Sequence, residues 1–137
     1  MGATLAEVQH GFNHTGALYE ELQIEEADHK AQPPAQIVEI LGFEIDTVAM
    51  EIRVPAAKVS ELIELCDLFC SRKSAGLREV QLFVGKLTWA ARVVQGGQVF
   101  LSCLFQLFYL EGPARKTVHL TKEFQADVAW WHHFLKT

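Results

Sequence analysis

Three of the four prolines bracket the longest stretch of this chain in which apolar residues recur at every second position. Pro33 and Pro34 stand before it and Pro55 after it. Proline lacks the amide hydrogen that a helix or a central strand needs, and it pushes the preceding residue into extended backbone. Helical pattern therefore cannot run through either point, and the intervening segment must form its own structure. Ile37, Leu41, Phe43 and Ile45 alternate, with Glu39 out of phase. Met50, Ile52 and Val54 alternate again, with Glu51 and Arg53 on the opposite face. Period two on both arms predicts a half-buried hairpin that turns near Asp46–Ala49. Asp46-Thr47 suits a turn start, although no glycine follows to mark a primed two-residue turn.

The flanking chain has helical period. Residues 13–24 give a weak helix through Leu18 and Leu22, and "EEADHKAQPPAQ" is a polar connection. Pro55 fits the first position of a helix, followed by an apolar stripe of Val59, Leu62, Ile63, Cys66, Phe69 and Cys70. "SRKSAG" interrupts that stripe. Gly76 begins a second helix over 77–94, with Glu79 placed to reach back to the Gly76 amide. Its stripe is Leu77, Val80, Val84, Leu87, Ala91 and Val94, and "QGG" ends it, with Gly96 or Gly97 taking the left-handed cap. Residues 98–110, "QVFLSCLFQLFYL", are apolar almost all round and predict a helix for a core or an interface. "EGPAR" reads as a turn and "KTVHL" as a short strand. Thr121 caps a last helix with Phe124, Val128, Trp131 and Leu135 inward.

A chain of 137 residues, half of them apolar, is expected to be one compact unit or a piece of a larger protein. No apolar run reaches the roughly 18–20 residues of a bilayer crossing. The opening "MGATLAEVQHGFNH" has neither the basic start nor the apolar stretch of a secretory leader, so an intracellular place, cytoplasm or nucleus, is expected. Cys66, Cys70 and Cys103 are odd in number and lack disulfide or redox spacing, which leaves them as apolar-face thiols. The net charge of −5 hides an asymmetry. Residues 1–54 hold ten Asp/Glu against two Lys/Arg, and residues 55–137 hold seven against ten, giving −8 and +3. Only the second part attracts a polyanion.

The residues supply no active-site motif. His10 and His14 are four apart and His132-His133 adjacent, without the further ligands of a zinc site. Glu20-Glu21 and Glu25-Glu26 read as solvated pairs, and Asp28, Asp46, Asp67 and Asp127 are scattered. Two-metal chemistry needs carboxylates held together on rigid backbone. No catalytic residue, metal or cofactor is expected. More informative is the helix at 77–94. Opposite its stripe lie Arg78, Gly85, Trp89 and Arg92, within about 60° of arc at 100° per residue, with Lys86 beside them. Glycine in mid-helix costs roughly 1 kcal/mol against alanine. It is tolerable where another backbone comes close, and a bare spot beside Trp and two Arg suits a sugar-phosphate strand. A solvated basic face, with Trp89 packed under a neighbouring element, accounts for the same residues.

"LGFEIDT", a second strand, "RVP--KV", "GKLTWAARVV", "G-FL" and "DVAWWHHFL" occur in this order. Over about residues 18–135 they resemble the reverse transcriptases of animal retrotransposons of the tyrosine-recombinase type. The resemblance implies a mainly α (α+β) fold: one β-hairpin, a helical thumb-like bundle, a short strand and a C-terminal helix. It implies a palm-edge helix and primer-grip hairpin over 1–54, with Leu41, Gly42 and Phe43 as grip residues. Thumb helices would span 55–112, and 113–137 would lead toward a ribonuclease H domain. Lys30 would be the palm lysine near the incoming nucleotide. The hairpin would then position a primer's 3′ end, and the nucleic-acid contacts would be Arg78, Gly85, Lys86, Trp89 and Arg92 on a primer–template duplex of RNA or DNA. The family's Tyr-x-Asp-Asp strand is due just before residue 10 and is not among these residues, nor are the ribonuclease H carboxylates. Gln23 and Gly76 stand where the family has Gly and Thr, and Gln98, Ser102 and Cys103 where it has arginines. The expectation is a non-catalytic remnant of a decayed or domesticated element. It binds nucleic acid weakly, or else serves as an interaction or structural remnant. Self-association or a protein partner is expected through 98–110, and no membrane.

Overall fold

The computed structural model describes residues 4–111 and 116–137, without the side chains of residues 109–111. Residues 112–115 of the turn expected at 111–115 and the side chain of Leu110 lie outside the described residues. The chain divides into two compact units, Met1–Ile52 and Arg53–Thr137. Its fold is mainly helical with small antiparallel sheets, as the sequence predicts.

The first unit opens with helix α1, Leu5–Glu21. It starts eight residues earlier than the apolar pattern indicates, because Thr4 and Glu7 form a capping box. The Thr4 amide donates to Glu7 Oε2 at 2.7 Å, and the Glu7 amide donates to Thr4 Oγ1 at 3.3 Å. Gln23 ends the helix at φ 56°, a left-handed conformation that glycine adopts without penalty. A 3₁₀ turn, Asp28–Lys30, precedes the Pro33-Pro34 step.

Beyond it lie three strands, not the two arms expected: β1 Ile37–Ile40, β2 Phe43–Asp46 and β3 Glu51–Arg53, in that spatial order. The run 37–45 folds back on itself at Leu41-Gly42. Register runs from Ile37 opposite Asp46 to Ile40 opposite Phe43. Leu41 and Gly42 have φ of 53° and 83°, the paired positive values of a primed two-residue turn. Asp46 makes the second turn as expected, its Oδ1 accepting from the amides of Val48 and Ala49, each at 2.9 Å. Met50 belongs to that turn at φ 55° and is 85% exposed. Of the face predicted to be half-buried, Phe43 and Ile45 are so, while Ile37, Leu41, Met50 and Ile52 are exposed, and among the described residues of this unit Asp46 is the one buried side chain.

The second unit has an apolar core. Helix α2 spans Ala56–Ser71, with Pro55 as its N-cap (φ −55°, ψ 142°), one position before the predicted one. Strand β4, Ser74–Gly76, occupies the interruption and leads directly into α3, Leu77–Ala90. A 3₁₀ turn, Val99–Leu101, feeds α4, Ser102–Glu111, across a kink at Phe100. Strand β5, Thr117–His119, precedes α5, Lys122–Lys136. Thr121 caps α5, its side chain accepting from the Phe124 amide at 3.2 Å. β4 and β5 pair antiparallel, Ala75 opposite Val118.

Phe69 of α2 and Phe83 of α3 stack with centroids 4.3 Å apart, and Phe124 of α5 closes on Phe69 at 6.3 Å. Burying each such ring contributes roughly 1.5–3 kcal/mol. Leu101, Leu104 and Leu107 turn inward, so the apolar 98–110 segment spends one face on this core. Trp131 is fully buried and donates Nε1–H to the Phe100 carbonyl at 3.2 Å. Its ring lies so close to Gly97 that a Cβ there would stand 2.7 Å from Cη2. The "G-FL" and "AWWHHFL" stretches thus meet as one packing seat. Gly96, at φ 78°, takes the left-handed turn.

Candidate nucleic-acid interface

Helix α3 forms because Val80, Phe83, Val84, Leu87 and Ala90 recur at helical spacing and are buried. Phe83 belongs to this face although the sequence stripe omitted it. The outward face carries Arg78, Leu82, Gly85 and Trp89 at i, i+4, i+7 and i+11. Leu82, 61% exposed, was missing from the sequence reading. Gly85 is open: a Cβ built on it meets nothing within 4 Å. Trp89 is half-buried and packs against the core cluster.

Two residues depart from the predicted arc. The helix ends at Ala90, with Ala91 as its C-cap, and Arg92 follows in a turn whose amide donates to the Trp89 carbonyl at 3.2 Å. Arg92 is exposed beside the face, off the helical arc. Lys86 is engaged: its Nζ pairs with Glu61 of α2, which also takes Lys58 at 3.3 Å. Hydrogen bonds from Lys86, then Lys58, hold the Glu61 carboxyl below the usual range. Among the described residues no acidic group pairs with Arg78 or Arg92. Glu79 stays near Gly76, as the sequence suggested, but its Oε1 accepts from Arg72 Nη1 at 2.5 Å.

Leu41, Gly42 and Phe43 form the β1–β2 turn and its exit, with Leu41 87% exposed. They belong to the first unit and α3 to the second. No group of three or more His, Cys, Asp or Glu gathers at metal-binding distance among the described residues. Asp67 pairs with His132 and Lies 4.0 Å from Lys136 Nζ, joining α2 to α5. No described helix is long and apolar enough to cross a membrane.

No family model matches the chain, and no curated protein matches it. Among solved structures it is similar to a foamy viral protease-reverse transcriptase determined in complex with double-stranded DNA. The TM-score is 0.59 at 15% identity, over 98% of this chain and 22% of that one. The chain thus spans about a fifth of the viral protein's length. The fold is reverse-transcriptase-like.

Proposed function

We propose that this chain is a non-catalytic piece of a reverse transcriptase of the tyrosine-recombinase retrotransposon type, and that it holds duplex nucleic acid weakly through α3. On this reading residues 1–54 correspond to the palm edge and primer grip, 55–112 to the thumb and 113–137 to the connection toward ribonuclease H. The observation that carries the binding is the bare spot at Gly85, between Leu82 and Trp89 on an outward face that begins at Arg78. A sugar-phosphate backbone reaches that spot closely, Arg78 and Arg92 meet phosphates, and the exposed part of Trp89 borders the strand. Contacts of this kind carry no base code. The viral neighbour's complex with DNA supports the direction of the reading. The scattered aspartates support the absence of catalysis: Asp46 serves a turn and Asp67 an ion cluster.

With Lys86 held by Glu61, two cations remain, so the slope of log affinity against log salt is expected near −2. Fluorescence anisotropy of a labelled 20-base-pair duplex, titrated between low and physiological salt, measures it. Arg78→Ala with Arg92→Ala abolishes the slope while the melting temperature holds. Gly85→Leu fills the spot and weakens binding without loss of charge. Binding that survives Gly85→Leu unchanged places the duplex elsewhere. Primer extension with Mg²⁺ and nucleotides tests the non-catalytic part, and added bases above a heat-killed control overturn it.

A second reading, an interaction remnant without nucleic-acid affinity, gains support from the uncovered apolar side chains of the first unit. Residues 98–110 offer less to a partner than the sequence implied. Over 98–108, Val99 and Phe105 are the large apolar side chains more than a third exposed.

A further inference from the structure

The first unit contains an open groove that runs from beside the β1–β2 turn along α1. Three adjoining cavities run along α1, of about 760, 640 and 380 Å³. The first and second meet at Phe12, and the second and third share Gly16, Tyr19, Glu20 and Glu26, so the three lie in succession along one face of α1. Its two ends differ in chemistry. One end is walled by Val8, Phe12, Pro33, Pro34, Ile40 and Leu41, with Lys30 and Glu39 on the rim. The other end is lined by Glu20, Glu25, Glu26 and Asp28, with no lysine or arginine.

Helix α1 has no buried residue over its 17 positions, yet Leu5, Val8 and Phe12 stay 73%, 43% and 40% exposed on one stripe. An amphipathic helix with an uncovered stripe beside a formed groove lacks the element that its apolar face is patterned to meet. Charge decides what that element is. The described and terminal residues of this unit carry ten acids against one lysine, a net of −9. Nucleic acid and the head group of an anionic lipid are repelled from the acidic end, and the same unit of a second copy is repelled as a whole.

We propose that this groove docks a separate polypeptide segment whose apolar residues run into a cluster of Lys and Arg. The apolar side chains lie against Val8, Phe12 and Ile40, and the cations reach Glu20, Glu25 and Glu26. The twelve helical steps from Val8 to Glu20 rise about 18 Å at 1.5 Å each. An extended segment of about six residues at roughly 3.3 Å each matches that length. The proposal stands independently of duplex binding by α3.

The test uses the full chain and a fluorescein-labelled peptide, Leu-Val-Ile-Phe-Gly-Lys-Arg-Lys, in which apolar and basic residues are segregated. A second peptide has the same residues interleaved, so composition and charge are equal and only their order along the groove differs. Isothermal titration or anisotropy should show at least tenfold tighter binding of the segregated peptide. Charge reversal by Glu20→Lys with Glu25→Lys and Glu26→Lys, all at exposed positions, should cost at least tenfold, and Phe12→Asp likewise, with circular dichroism confirming retained helix. Equal binding of the two peptides to the wild-type chain overturns the proposal whether or not the variants fold. So does peptide binding indifferent to both variants. A concentration-dependent dimer in sedimentation that Phe12→Asp abolishes makes a second copy the occupant and also overturns it.

Discussion

Adding one methyl group at Gly97 tests the seat on which the second unit is built. A Cβ there stands 2.7 Å from Trp131 Cη2, 2.9 Å from Cζ2 and 3.2 Å from the Val94 carbonyl. Trp131 is fully buried and tethered by its hydrogen bond to Phe100, so the ring has little room to yield. Overpacking of this kind costs roughly 1–3 kcal/mol. Alanine returns about 0.4–1 kcal/mol by restricting the unfolded chain. The net for Gly97→Ala is a loss of roughly 1–2 kcal/mol. For a unit of 85 residues that lowers the melting temperature by roughly 5–15 °C. All three tryptophans lie in this unit, so intrinsic fluorescence follows its melting selectively. Gly85→Ala is the internal control. It is the same substitution in mid-helix with open space around it, and it should stabilise by roughly 0.5–1 kcal/mol. Combining Gly97→Ala with Trp131→Phe should cost less than the sum of the two, because the smaller ring vacates the space that the methyl needs. A Gly97→Ala protein that melts at or above wild type would refute the packing described for Trp131.

Two further outcomes are expected. Glu61→Gln releases Lys86, so the salt slope of duplex binding should steepen by about one unit, and Lys86→Ala in that background should return it; an unchanged slope counts against Lys86 lying near the duplex. Burial, with Cys70 and Asp67 nearby, pushes the Cys66 thiol from 9.0 up to about 12. The unfolded chain therefore gives up that proton first, and stability should fall as pH rises from about 9 toward 12. Urea midpoints across that window should fall less steeply for Cys66→Ala, and parallel curves would remove Cys66 as the cause.

The sequence showed most where one residue type fixes one geometry. Thr121 and the Asp46 turn are where the pattern put them, because each satisfies a specific backbone conformation; Gly96 is left-handed as expected, but six residues past the end of the helix it was to cap. It misled where periodicity continues across a break. Ile37, Leu41, Phe43 and Ile45 keep period two through a turn, so two strands read as one until the positive φ at Leu41 is seen. Ala91 and Val94 continue the apolar spacing of α3, yet the helix stops at Ala90, and Arg92 leaves the arc with it. Strand β4 was invisible because three residues, Ser-Ala-Gly, are too few to show a period; its partner near Val118 creates it. Of the candidate site, Arg78, Gly85 and Trp89 were legible from helical spacing. The capture of Lys86 was not, since Glu61 lies 25 residues away.

The β4–β5 pair also sets a schedule for synthesis. Ala75 meets Val118, the Lys73 carbonyl accepts from the Leu120 amide at 2.9 Å, and the Arg72 carbonyl accepts from Gln125 Nε2 at 2.8 Å. Every one of these contacts joins the α2–α3 connection to chain made more than forty residues later. At roughly 5–20 residues per second, a ribosome leaves β4 without its partner for some seconds. During that interval Phe69 and Phe83 have each other but lack Phe124. Helices α2 and α3 can form early, since their bonds are local, but the unit cannot close until its last helix has emerged. The second unit is thus most exposed to misassembly until α5 has been made, and a truncation before Val118 removes the step that completes its fold.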